Sequence, residues 1–278
     1  MQQDDGAERV RRLTRTGLAK QQPRPAPDGQ GVVYVQIQGP HLSLRRIGPQ
    51  GEEDRPLFVG REDYIQQHPA WSRDGRMLAF TVNQGLRNGQ LAVHACDVDG
   101  DTCSGFRVIV PGGQNCHPAW SPDGKQLVYV ALSSQLSVVN ADGSKPRRLG
   151  SLTGQQFFPT WSPDGAWIVF SSSHEGSYQL YRIRPDGAEL HRVTRSDALD
   201  THPAFSPDGK WLAFASNRAG SYDLYVCRPD GAGVRRLTTG EARDDYPGWS
   251  ADGRSLYFVS TRHGAFDLYR IPCEVEGT

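Results

Sequence analysis

The stretch His117-Pro118-Ala119-Trp120-Ser121-Pro122-Asp123-Gly124 decides the fold, because its pattern returns along the chain. Further copies begin at His68, Phe158, His202 and Tyr246, and a more divergent copy begins at Gln22. Successive closing glycines are 46, 49, 41, 44 and 44 residues apart. A period of this length is typical of small sheets arranged in an array.

Each repeat has the signals of four short strands. The first strand ends at Trp-Ser, and Ser-Pro-Asp-Gly follows as a tight turn in which Gly supplies a positive φ. In the fifth repeat the second strand is the apolar segment 211–216, the third is 222–227 and the fourth is 234–238. We therefore predict an all-β fold, a six-bladed β-propeller with four-stranded antiparallel blades. It forms a single domain over residues 1–278, with blades starting near residues 22, 68, 117, 158, 202 and 246.

The two ends of the chain indicate how the ring closes. The last repeat ends after its third strand, whereas segment 5–14 closely matches the fourth-strand segment 230–238 of the preceding repeat. We expect residues 8–14 to complete blade six, so that the N-terminal strand joins the first and last repeats.

Composition excludes several classes of partner. Lys plus Arg and Asp plus Glu each total 31 in 278 residues, and this zero net charge argues against nucleic-acid binding. No apolar run approaches the length of a membrane-spanning helix. We expect a monomer with no nucleic-acid partner and no membrane span.

The repeats resemble the PD40, or WD40-like, repeats of TolB-like β-propellers, over residues 5 to about 272. The chain has no counterpart of the α/β domain that precedes the propeller in TolB. The resemblance implies a periplasmic or secreted protein, although the chain as given has no signal peptide. Among its five cysteines, Cys96 and Cys103 flank a short turn and form either a local disulfide or two free thiols.

One repeat position, directly before Pro in the first strand, carries the sharpest functional signal. It holds Gln22, His68, His117, Phe158, His202 and Tyr246. The first strand of a propeller blade is innermost, so these side chains should lie near the central channel. We predict that His68, His117 and His202, with Gln22 as a fourth ligand, bind a divalent transition metal. Phe158 and Tyr246 would then line the channel as binding residues. The alternative is that each His caps its own strand.

Two functions follow from this pattern. The first is a non-catalytic module that binds a protein, peptide or glycan at the propeller face, since no nucleophile elbow or Ser–His–Asp arrangement stands out. The alternative is a metal-dependent polysaccharide lyase or hydrolase with the channel histidines as ligands. The resemblance implies this because a propeller lyase built from the same repeats uses channel-facing histidines to bind its metal. Whether the chain is an enzyme stays open, with the binding module favoured. Separately, we expect Arg218 to pair with Asp223, and Arg262 with Asp267, across the hairpins.

Overall fold

The computed structural model describes residues 10–58, 65–83, 90–100 and 102–275. Their 24 strands form six sheets of four antiparallel strands each, which are the six predicted blades. No helix in this described part of the chain is long and apolar enough to cross a membrane.

The strands follow the repeats in order, starting with the strand that the N-terminus contributes to blade six. Strand β1 is Arg11–Arg12, and blade one contains β2 Ala19–Pro25, β3 Val32–Gln38, β4 His41–Ile47 and β5 Arg55–Pro56. Blade two contains β6 Ile65–Trp71, β7 Met77–Asn83, β8 Leu91–Asp99 and β9 Thr102–Val110. Blade three contains β10 Cys116–Trp120, β11 Gln126–Ala131, β12 Gln135–Asn140 and β13 Arg147–Arg148. Blade four contains β14 Gln156–Trp161, β15 Ile168–Ser172, β16 Gln179–Ile183 and β17 His191–Arg192. Blade five contains β18 Asp200–Phe205, β19 Leu212–Ala219, β20 Ser221–Cys227 and β21 Arg235–Arg236. Blade six contains β22 Asp244–Trp249, β23 Ser255–Ser260 and β24 Asp267–Pro272, together with β1.

The predicted closure by the N-terminal strand is confirmed. Strand β1 pairs with β24, with Arg11 opposite Arg270 and Arg12 opposite Tyr269. The Leu13 amide extends this pairing by donating to the Leu268 carbonyl at 2.8 Å. Residues 5–9, which also entered the prediction, lie outside the described residues. The N-terminal strand is therefore the outer strand of blade six, and one sheet holds both ends of the chain.

The hydrophobic core lies between blades, and the recurrent tryptophans belong to it. Second strands are buried on both faces, since each sheet is covered by a neighbouring blade on either side. The Trp161 indole of blade four donates to the Ala119 carbonyl of blade three at 3.2 Å, and Trp249 of blade six donates to Ala204 of blade five at 3.0 Å. Trp161 and Trp249 thus connect neighbouring blades through both apolar contact and a hydrogen bond.

The Asp-Gly turns have the structural role that their repetition indicates. In blade three the Ser121 hydroxyl donates to an Asp123 carboxylate oxygen at 2.6 Å, and the Lys125 amide donates to the same oxygen at 3.1 Å. These hydrogen bonds lower the pKa of Asp123. Gly124 has a φ of 69°, the left-handed conformation that the turn requires. Equivalent Ser–Asp bonds form in blades two, four, five and six.

The predicted arginine pairs are wrong in their partners. Arg218 Nη2 donates to both carboxylate oxygens of Asp200 at 2.9 Å, and Arg262 Nη2 donates to both oxygens of Asp244 at 2.9 and 2.8 Å. Both carboxylates belong to the first strand of the blade and not to the third. The third-strand carboxylates instead bind arginines of the fourth strand.

The cysteine pair lies on the β8–β9 hairpin, where Cys103 is opposite Val98. Cys96 is buried in the core between blades one and two, and Cys103 packs against that same core. Both are free thiols in the structure.

Candidate ligand-binding site

A bulge in every blade directs one side chain into the channel. In blade two the register between β6 and β7 changes from Gln67 opposite Thr81 to Ala70 opposite Ala79, which leaves one extra residue in β6. Proline has no amide hydrogen for the ladder and is tolerated at such a position. The residue before it, His68, has a φ of 54°. All six equivalent residues have φ between 52° and 56°, a conformation that non-glycine residues rarely adopt.

The six residues named from the sequence form a ring, which we call the channel ring. Its members are Gln22, His68, His117, Phe158, His202 and Tyr246. Neighbouring aromatic rings are in contact around it, with centroid separations of 3.6, 4.5, 3.9 and 3.9 Å in chain order from His68 to Tyr246. The Gln22 side-chain oxygen accepts a hydrogen bond from the His68 backbone amide at 2.7 Å. The Gln22 side chain also hydrogen-bonds with Tyr246, so Gln22 connects the two ends of this series. The channel ring therefore packs across the channel.

Two histidines of the ring are held neutral. Burial, reinforced by the charge of Arg24, lowers the pKa of His68 to about 3. Burial also lowers the pKa of His117 well below its usual value, and His68, His202 and Arg24 add to the effect. Both imidazoles are uncharged at neutral pH.

His202 has a different environment, which sequence reasoning missed. Its Nδ1 lies 2.7 Å from an Asp245 carboxylate oxygen, and Arg243 binds the other oxygen of the same carboxylate at 2.8 Å. Burial opposes ionisation of Asp245, but interaction with His202 and then Arg243 keeps its pKa below the usual value. The other nitrogen of His202, Nε2, is buried and has no hydrogen-bond partner among the described residues.

These contacts bear on the predicted metal site. His68 and His117 stack with their ring planes 33° apart, and Phe158 separates His117 from His202 around the ring. Within the described ranges, no group of three or more His, Cys, Asp or Glu side chains has the arrangement to hold a metal ion. Arg24 adds a positive charge beside the same imidazoles. The ring in this arrangement does not fit a metal, and the four-ligand site stays a prediction.

A funnel opens beside the channel ring, on the face that carries the Asp-Gly turns. It is a cavity of about 410 Å³, walled by prolines and by the recurrent tryptophans of four blades. Its rim includes the turn prolines Pro122, Pro163 and Pro207, and its inner wall includes Pro118 and Pro159, which follow channel-ring residues. This volume lies in the range of ligand pockets.

The described residues that line the funnel include only two charged side chains, Arg24 and Arg73. Arg24 lies two positions after Gln22, where other blades have Ala70, Ala119 or Ala204. Arg73 occupies the turn position held by proline in most repeats, and its guanidinium donates to the Pro163 carbonyl, from blade two to blade four. Both arginines differ from the residues at the same position in the other repeats, and this difference is the sequence signal that could have identified them as site residues.

A six-bladed ring of four-stranded sheets, with its termini in one blade and a funnel at one end of the channel, defines a β-propeller of the repeat-built class. The family described as PD40, TolB beta propeller domain, matches residues 101–203 and 197–277. The chain belongs to this family.

Solved structures agree with this fold. A putative TolB from Agrobacterium tumefaciens is 23% identical, with a TM-score of 0.71 over 96% of this chain and 97% of that one. TolB from Acinetobacter baumannii is 21% identical, with a TM-score of 0.66 over 92% of this chain and 63% of that one. An oligogalacturonate lyase in complex with manganese is 16% identical, with a TM-score of 0.64 over 95% and 93%. A comparison with curated proteins finds no match. At these identities the solved structures indicate the fold alone.

Proposed function

We propose that this propeller is a non-catalytic binding module that holds a protein or peptide at the funnel. The observation that carries the proposal is the funnel itself, a largely apolar cavity of about 410 Å³ whose lining includes the prolines that directly follow channel-ring residues. Proline and tryptophan walls offer rigid apolar surface, which suits the side chains of a peptide.

The wall chemistry favours a peptide over a glycan. Proline has no amide hydrogen to donate, and the side-chain hydroxyls among the described wall residues belong to Thr160, Ser206 and Ser250. A sugar presents many hydroxyls, which would lose hydrogen bonds to water without gaining enough partners here. We place the protein outside the cytoplasm, in the periplasm or secreted, and as a monomer. Titration of the thiols of Cys96 and Cys103 in exported protein and light scattering of the purified chain test these two points.

Filling the funnel tests the proposed function. Thr160 lines the cavity, so Thr160→Trp should occupy it, whereas exposed Ser151 follows β13 in the loop that leads to the opposite face. Peptides selected from a random library on the wild-type protein should bind Thr160→Trp at least about tenfold more weakly and bind Ser151→Trp unchanged. Equal loss in both variants, or no loss in either, would place binding elsewhere and refute the proposal.

The second candidate is the metal-dependent polysaccharide lyase or hydrolase. It is favoured by the convergence of His68, His117 and His202 in one ring and by the likeness to a manganese-containing oligogalacturonate lyase. The stacked histidines and the adjacent Arg24 weigh against it. Elemental analysis of the purified protein, together with an assay for unsaturated products from oligogalacturonate, decides between the two candidates. Stoichiometric metal that is lost in His68→Ala, with turnover, would establish the enzyme.

A further inference from the structure

Arg24 breaks the internal repeat at a position that faces the funnel. The equivalent residues of the other blades are small: Ala70, Ala119, Thr160, Ala204 and Gly248. The following residue also departs, since Pro25 stands where the other blades have Trp or Phe. The backbone at this position does not require arginine, because five other blades form the same bulge without it.

Arg24 lies two residues after Gln22 of the channel ring and lines the funnel. The residue belongs to blade one, yet it interacts electrostatically with His68 of blade two, His117 of blade three and Tyr246 of blade six. Arg24 therefore lies between the channel ring and the ligand cavity.

Arg24 has no anionic partner among the described residues. Within the described part of the chain, the Arg24 guanidinium makes one hydrogen bond, a long contact of 3.4 Å to the Pro23 carbonyl, and it forms no ion pair. Burial lowers its pKa to about 10, which still leaves it charged at neutral pH. Other partly buried arginines of the chain, such as Arg218 and Arg262, each donate to both oxygens of a carboxylate. A half-buried cation without such a partner costs free energy, and a ligand that supplies the anion would remove this cost.

The rest of the funnel adds no negative charge. Its other charged wall residue is Arg73 at the rim, and the turn carboxylates beside the rim are occupied by serine hydroxyls and backbone amides. The wall around Arg24 is apolar, which strengthens an ion pair formed inside it.

We propose that the funnel binds the C-terminal carboxylate of an extended peptide, with Arg24 as the group that receives it and the proline and tryptophan walls as the surface for the last side chains. An arginine fork matches a carboxylate in geometry and forms charge-assisted hydrogen bonds with it. This inference rests on the proposed binding function and adds the chemical group that is recognised and the residue that recognises it.

The test uses two short peptides that differ in one group. N-acetyl-Ala-Ala-Leu with a free carboxylate and the same peptide with a C-terminal amide are titrated into the protein, and the indole signals of the funnel tryptophans are followed by NMR. We expect the free acid to bind about tenfold or more tightly than the amide, the difference expected for a charge-assisted hydrogen bond. Digalacturonate, a carboxylate on a sugar, forms the third titration.

Variants assign the difference to Arg24. Arg24→Ala introduces the residue that three other blades carry, so the fold should be kept, and it should remove the preference for the acid. Arg24→Lys should retain part of it. Arg254→Ala removes the same charge from an exposed residue after the blade-six turn, and it should leave the preference unchanged.

The outcomes separate the two levels of the proposal. Equal binding of acid and amide, no binding of either, or an acid preference that survives Arg24→Ala would overturn the carboxylate inference. Tighter binding of digalacturonate than of the peptide acid would overturn the peptide assignment. Library-selected peptides that lose affinity for Thr160→Trp but not for Arg24→Ala would keep the binding module while refuting the role of Arg24.

Discussion

Two junctions between neighbouring blades differ in charge at one repeat position, two residues before the channel-ring residue. This position holds Lys20 in blade one and Asp244 in blade six. At the junction of blades six and one, Asp267 of β24 meets Lys20 of β2 with a Nζ–Oδ1 distance of 3.0 Å, and both side chains are fully buried. At the junction of blades five and six, the equivalent residues are Asp223 and Asp244, and Asp244 raises the pKa of Asp223 electrostatically. One junction therefore joins opposite charges directly, and the other places two carboxylates near each other, each with its own arginine, Arg236 for Asp223 and Arg262 for Asp244.

The partners from the fourth strand are alike at both junctions. Arg236 binds Asp223 at 2.7 Å, as Arg12 binds Asp267 at 2.5 Å. The difference lies in the remaining oxygen. Asp267 Oδ1 receives hydrogen bonds from both Thr14 and Lys20, whereas Asp223 Oδ1 has no partner among the described residues.

The pKa values of the two carboxyls differ accordingly. Burial raises the pKa of Asp223, and Arg236 does not fully compensate. Burial acts on Asp267 in the same direction, but hydrogen bonds from Thr14, Arg12 and Lys20 outweigh it and lower the pKa. Asp267 binds the N-terminal segment through Arg12, Thr14 and Lys20, and this segment is held to β24 by non-covalent contacts, whereas β20 and β21 at the internal junction belong to one continuous stretch of chain. Ring closure therefore depends on Asp267 more than the internal junction depends on Asp223.

The largest expected effect is that of Asp267→Ala. It leaves Lys20 buried without its carboxylate and also removes a partner of Arg12, so we expect the free energy of unfolding to fall by about 3–5 kcal/mol. Asp223→Ala is the matched control and should cost less than half as much, because Arg236 is partly exposed and can be solvated. Chemical denaturation measures both. Equal losses in the two variants would mean that the closing junction has no special role.

Amide hydrogen exchange should show where Asp267→Ala destabilises the propeller. The Leu13 amide bonds to the Leu268 carbonyl, and the Leu268 amide bonds to the Thr14 hydroxyl. Asp267→Ala should speed exchange at these two amides before those of blade five, such as Leu224 and Leu237. Uniform acceleration in all blades would show that closure does not open separately.

The sequence predicted the closing strand because segment 5–14 repeats segment 230–238 almost residue for residue. It also predicted which six side chains converge in the channel, because the position before Pro is marked in every repeat. It could not predict the arginine pairing. Ser216 lies opposite Asp200 on one side and Asp223 on the other, so Arg218, two residues later, has a carboxylate available in either direction.

The unpredicted parts of the candidate site are departures from the repeat. Arg24, Arg73 and Lys20 each replace a neutral residue found at the same position in most other blades, and a motif that keeps only shared residues discards them. Asp245 was missed for a different reason, since its importance depends on contact with His202 across a blade boundary. Repetition specifies the scaffold, whereas charge placement at single repeat positions depends on which blades become neighbours.

An intermediate effect is expected for Lys20→Met. The apolar chain of methionine can fill the space of the lysine stem, and Asp267 keeps Arg12 and Thr14, so we expect a loss of about 2 kcal/mol. Gln66→Met is the control at the same repeat position in blade two, where a buried neutral side chain is removed. Thermal or chemical unfolding should show a smaller loss for the control, and a loss in Gln66→Met as large as in Lys20→Met would remove the distinction between the junctions.

The smallest effect, and the one with the opposite sign, is expected for Asp223→Asn. A carboxyl whose folded-state pKa is raised favours folding when it is protonated, so this stabilisation is lost as pH rises above the unfolded-state value of about 3.9. The neutral amide removes the repulsion from Asp244, and we expect stability at pH 7 to be unchanged or up to about 1 kcal/mol higher, with the gain disappearing at acidic pH.

Asp267→Asn should behave in reverse, because a lowered folded-state pKa gives stability that is present above the unfolded-state value and lost as pH falls through the folded-state value. Its cost should therefore be full at pH 7 and shrink in acid. Denaturation curves of both variants across this pH range should diverge from wild type in opposite directions, and parallel curves would contradict the assignment of one junction as attractive and the other as repulsive.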